Sequence, residues 1–129
     1  MLFRSPWITA KRGLREEMGI EFYDKSMSLV LHSFVWDSRI LDYKFFGFVL
    51  NSFSQADIRK AWTNAPDRHE SWELMFYDCS NDKQVEKLLK ELIRNKETWA
   101  SECTLCTVLS LFHLGKVTPS QFEKIINET

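Results

Sequence analysis

Glycine and proline are scarce, with 4 and 3 residues in a chain of 129. That scarcity excludes collagen-like and low-complexity classes. Cysteine is also sparse. Cys79, Cys103 and Cys106 cannot all pair within one chain and fall far short of a disulfide scaffold, so a reducing compartment, the cytoplasm, is the expected setting. Neither sign of charge is in excess: 17 Lys and Arg stand against 18 Asp and Glu, a net charge of -1. Without an overall positive field, neither general nucleic-acid binding nor adhesion to an anionic membrane is expected. Long apolar runs are missing too. No segment nears the roughly 18 residues that span a bilayer, and Thr9, Lys11 and Arg12 interrupt the start before any run of leader length.

What is present is a globular composition rich in rings. Hydrophobic residues make up 44% and charged residues 27%, with 10 Phe and 5 Trp, so a folded core is expected rather than disorder. A chain of this length buries roughly two-thirds of its unfolded surface. One domain over residues 1–129 follows.

Ser5-Pro6 reads as an N-cap followed by a proline at the first helical position, opening a helix that runs to Met18 and stops at Gly19. Trp7, Leu14 and Met18 fall on one stripe, with Ile8 and Lys11 at its edges. Arg12, Glu16 and Glu17 gather on the other side. Ser28 to Asp37 and Ile40 to Asn51 are rich in Val, Phe, Leu and Tyr and predict an antiparallel hairpin turning near Arg39. Ser54 caps a short helix through Trp62, and Ser71 to Asp78 alternates as a third strand. Asn81 or Asp82 opens a helix whose Val85, Leu88, Leu89, Leu92 and Ile93 form one apolar stripe. Trp99 to Leu114 is apolar on most faces and predicts a buried helix ending at Gly115. Thr118-Pro119 opens a last helix with Phe122, Ile125 and Ile126 facing inward. The predicted order is αββαβααα, an α+β layered domain with an incomplete, mixed or antiparallel sheet and a helical C-terminal third.

The informative segment is Arg12-Gly-Leu-Arg-Glu-Glu-Met-Gly-Ile20. It resembles the second half of the Nudix box, G-x5-E-x7-R-E-U-x-E-E-x-G-U with U a bulky aliphatic. Arg12, Leu14, Glu16, Glu17, Gly19 and Ile20 match six of the seven specified positions; the departure is Gly13, where the family has glutamate. The earlier box glutamate would fall on Arg4. The resemblance implies a metal-dependent hydrolase of a nucleoside diphosphate linked to another moiety. In it Glu16 and Glu17 would hold Mg²⁺ or Mn²⁺, Arg12 would orient them, and Glu70 or Glu73 would assist the attacking water. Hard carboxylate oxygens at i, i+3 and i+4 of a helix suit such cations, completed by water and phosphate.

The family order also places strands ahead of the box helix. This stretch does not include them, so it reads either as the C-terminal part of a longer protein or as a degenerate short relative. With Gly13, weak or no hydrolysis by these residues alone is expected. The alternative is a non-catalytic interaction module that keeps the helix as a scaffold and pairs, as a homodimer or with another partner, through an open sheet edge.

Elsewhere, Cys103-x-x-Cys106 lies inside an apolar helix and reads as buried small hydrophobes rather than a metal set. His32 reads as a cross-strand residue, and His69 as part of a polar loop. Trp36, Tyr43, Phe45, Phe46 and Trp62 could stack a nucleobase, although most rings must belong to the core.

Overall fold

A computed structural model describes residues 5–68, 74–95 and 101–129. Over these residues the chain is a small α+β fold of five helices and one two-stranded antiparallel sheet. In order they are α1 (Pro6–Met18), β1 (Ser28–Asp37), β2 (Asp42–Leu50), α2 (Gln55–Thr63), α3 (Asp82–Arg94), α4 (Ser101–His113) and α5 (Pro119–Glu128). No helix among the described residues is long and apolar enough to cross a membrane.

The caps explain where the helices begin. The side chains of Ser5, Ser54, Asn81 and Thr118 each accept a backbone N–H from the first turn of the helix that follows. Ser54 with Asp57, and Thr118 with Gln121, close reciprocal capping boxes. The hairpin loop carries Leu41 at φ 53, a conformation that costs a leucine about 1 kcal/mol or more.

The chain clusters into two compact units, Met1–Leu31 with Phe48–Phe76, and His32–Gly47 with Tyr77–Thr129. Both strands pass from one unit into the other. In the second unit α3 supplies the core. Val85, Leu88, Leu89 and Leu92 are buried together with Val108 and Leu111 of α4, Val117, and Ile125 of α5. Leu89 and Leu92 have no exposed surface at all, and the Phe112 and Phe122 rings meet edge-on at 5.6 Å beside this cluster.

In the first unit the close approach is between backbones. Gly19 ends α1 in the left-handed region at φ 69, and its N–H reaches the carbonyl of Arg15. A Cβ built there would lie 2.2 Å from the Ala61 carbonyl oxygen on α2. Beyond α2, the Asp67 N–H donates to the Glu16 carbonyl at 2.7 Å.

Four expectations need correction. Leu74 to Asp78 form no strand, so alternation there reflects an irregular segment; residues 71–73 of that expectation lie outside the described residues. The apolar stripe of α1 is not dry, since no residue of α1 is buried and Trp7 and Ile8 are exposed. Among its described side chains the helix α4 buries Val108 and Leu111 alone and leaves Leu105 exposed; Trp99 and Ala100 of the expected helix lie outside the described residues. On α5, Ile125 is buried but Ile126 is not. In each helix the apolar arc is wider than the neighbour that covers it.

Gly13, Gly19 and Gly115 differ in what surrounds them. At Gly13, inside α1, an added Cβ meets nothing within 4 Å, so Gly13→Ala should stabilise by about 1 kcal/mol. Gly115→Ala, also unobstructed but at φ 69, should cost about 1 kcal/mol. Gly19→Ala meets both the strained φ and the Ala61 backbone and should cost about 3 kcal/mol. Urea unfolding midpoints of the three variants check that order.

Candidate functional site

The box segment lies on α1 in the register that its spacing predicts. Arg12, Gly13, Glu16 and Glu17 occupy neighbouring positions of the exposed side, because three and four residues are close to one turn. Arg12 Nε lies 3.9 Å from Glu16 Oε1, and an Arg15 guanidinium nitrogen lies 4.0 Å from the same oxygen. The Glu16 side chain remains 40% exposed, so these contacts are loose and open to water, weak by the standard of surface pairs. Glu17 is more exposed still. The Glu16 carbonyl also accepts from the Asp67 N–H beyond α2, so a loosely paired carboxylate sits on a main chain tied to a second segment.

Two carboxylates with an adjacent guanidinium can hold a hydrated divalent cation through hard oxygen ligands. A third ligand has room at position 13, where the space beyond Gly13 is open. Glu70 and Glu73 lie outside the described residues, as does His69. Among the described residues no three His, Cys, Asp or Glu side chains converge as a metal set.

Two groupings were not anticipated. The first surrounds His32, which is more than a cross-strand residue. Its Nδ1 lies 2.7 Å from the Ser33 hydroxyl and its Nε2 lies 2.8 Å from the Ser110 hydroxyl. Its ring stacks on His113 with centroids 5.7 Å apart. Burial, and then the neighbouring His113, hold the His32 pKa below its ordinary value. The i, i+3 spacing of Ser110 and His113 on α4 was a legible signal, but nothing local links it to residue 32.

The second is a charge network around a groove of about 300 Å³, lined by Trp36, Asp37, Lys44, Phe46, Glu102 and Leu105 among others. Asp37 accepts two side-chain bonds from Arg39, at 3.1 and 3.2 Å, and these hold its carboxyl below the usual carboxylate range. Lys44 joins Glu102 and lies 3.9 Å from Asp37; its bond lowers the Glu102 pKa as well. Two cations and two anions satisfy one another here.

The cysteines are free. Cys103 is exposed rather than buried, while Cys106 donates to the Gly47 carbonyl at 3.5 Å. Burial pushes the Cys79 thiol up in pKa. Local desolvation of the sulfur, followed by the neighbouring Cys106 and Glu102, raises the Cys103 thiol although that residue as a whole is exposed. Neither leans toward nucleophilic behaviour. Of the rings considered for base stacking, Phe46 is buried and Trp62 half-buried, whereas Trp36, Tyr43 and Phe45 are exposed on the hairpin.

Set against protein-family models, curated proteins and solved structures, the chain matches none.

The His32 environment makes a pH test. Its folded-state pKa is depressed, so the native state favours the neutral ring and the unfolded chain takes up the proton first as pH falls. Stability is therefore complete above the ordinary value of 6.5 and is lost as pH drops from there through the lower folded value. Melting temperatures measured across that window should step downward on acidification. His32→Gln should abolish the step, and His113→Gln should reduce it.

Proposed function

We propose that this chain is a Nudix-like domain, related to metal-dependent hydrolases of nucleoside diphosphates linked to another moiety, with a divalent-cation site on α1 and little or no hydrolysis by itself. The observation that carries the reading is the arrangement of Arg12, Glu16 and Glu17 on a helix ended at Gly19 in the left-handed conformation. Glu16 and Glu17 are the ligands, and Arg12 positions Glu16. Bound Mg²⁺ or Mn²⁺ would neutralise charge on the phosphates of a nucleotide-type ligand and lower the pKa of an attacking water. Glu70 or Glu73 is assigned the role of assisting that water. Free thiols suit the cytoplasm as the place of work.

A second reading is favoured by Gly13 and by the arginines that already partner Glu16. In it the helix is a scaffold for a binding module, which can pair through the open edges of its two-stranded sheet.

Mn²⁺ titration followed by thermal denaturation separates the two. A ligand held only by the folded state at a hundredfold excess over its Kd adds about 2.7 kcal/mol, or several degrees. That stabilisation should appear in the wild type and vanish in the Glu16→Gln, Glu17→Gln double variant. Gly13→Glu, which restores a third carboxylate on the same face, should enlarge it. Equal small responses in all three proteins would sink the metal site and leave the scaffold reading.

A further inference from the structure

The hairpin has two unlike faces. One carries Asp37, Lys44 and Phe46, of which Phe46 is buried and the other two are tied into the Glu102 network. The other carries Phe34, Trp36, Tyr43 and Phe45, all between 47% and 58% exposed. These rings form one continuous array. Phe34 stacks on Tyr43 at 4.8 Å and meets Phe45 at 4.9 Å, and Trp36 meets Tyr43 at 4.5 Å. The loop beyond them adds Ile40 and Leu41, both more than half exposed, the latter in the left-handed conformation.

We infer that this aromatic face is the interface of a homodimer, in which two hairpins stack face to face about a two-fold axis. Several properties select a second copy as the occupant. None of the four ring side chains carries a charge. The turn beside them carries one cation, Arg39, already paired with Asp37, and one anion, Asp42, at its end. The surface therefore favours neither an acidic nor a basic partner, whereas an apolar face is complementary to itself across a two-fold. Homodimer interfaces are the most apolar class, and Tyr, Trp and Phe are enriched in them.

The area also fits. Large aromatic side chains bury about 150–250 Å², so four half-exposed rings offer about 400 Å². With Ile40 and Leu41 each copy would contribute about 600 Å², which places the dimer at the lower end of specific interfaces at about 1,200 Å² in total. A patch of about 600 Å² stands at the top of the range for the largest apolar patch of a monomer, and patches of that size are often functional. None of these residues belongs to the metal site proposed on α1, so the dimer does not rest on that reading.

Light scattering coupled to size exclusion, over a range of micromolar concentrations, reads the outcome. The wild type should pass from 15.3 kDa toward twice that mass as concentration rises. Tyr43→Lys, which inserts a charge into the array, and Phe45→Thr, which keeps a strand-forming residue, should each hold the protein at the monomer mass with unchanged far-ultraviolet dichroism. Hydrogen exchange of the unaltered protein, compared between dilute and concentrated samples, should show added protection confined to residues 34–45. The inference is overturned by a wild type that stays monomeric at every concentration. It is overturned equally by a dimer that survives both substitutions or whose protection lies elsewhere, which would mean association through a sheet edge. A monomer whose Trp36 fluorescence is quenched by a nucleotide would assign the face to base stacking instead and would also refute the dimer.

Discussion

A two-stranded sheet is marginal on its own in water, because it has too few cross-strand neighbours and two faces to cover. Each surrounding feature of the hairpin answers that limit. On one face of its distal half, Phe46 is buried, and Asp37 and Lys44 discharge each other and Glu102, so a polar pair is tolerated beside the core. His32 is fixed to α4 through Ser110, and Gly47 accepts from Cys106 of the same helix. The strands thereby borrow stability from α4, and α4 borrows it from the α3 stripe around Leu89 and Leu92. The opposite face receives no such cover. Ring-on-ring contact within the array compensates only in part, since each ring keeps about half its surface in water.

The box helix is held by a different kind of contact. No side chain of α1 is buried, so its position rests on backbone geometry: the left-handed turn at Gly19 beside the Ala61 carbonyl, and the Asp67 N–H on the Glu16 carbonyl. A glycine is required where two main chains pass this closely, and the same residue closes the motif. On that main chain the side chains of Arg12, Glu16 and Glu17 keep access to water, with Glu16 only loosely paired to Arg12 and Arg15, which suits a scaffold for ligands.

Local chemistry carried most of what was legible in the sequence. Ser5-Pro6, Ser54, Asn81 and Thr118-Pro119 marked helix starts that the caps bear out, and β1 occupies the predicted span Ser28 to Asp37. Long-range matters were not legible. Alternation in Ser71 to Asp78 satisfies a strand pattern, yet a strand also needs a partner ladder, and Leu74 to Asp78 have none. Apolar stripes on α1, α4 and α5 showed which side faces inward but not how much neighbour there is to cover it. Trp7, Leu105 and Ile126 are therefore exposed. The His32–Ser110 bond spans 78 positions, and no local pattern encodes such a pairing.

The electrostatics of α1 decide what its carboxylates can do. Two like charges at adjacent helical positions repel, and guanidinium groups on either side relieve that repulsion without a metal. Glu16 has two such neighbours at 3.9 and 4.0 Å, distances at which water screens the pair and little energy is committed. On the proposed reading a divalent cation would displace weak partners rather than strong ones, and the arginines would be a modest barrier to binding. Affinity then turns on how many hard oxygens converge, because each added carboxylate both ligates and raises the negative potential. Position 13, on the same side of α1, holds a glycine. Its open surroundings put no steric bar to a longer side chain there, so on the proposed reading a carboxylate at this position would add charge for a metal without disturbing the helix.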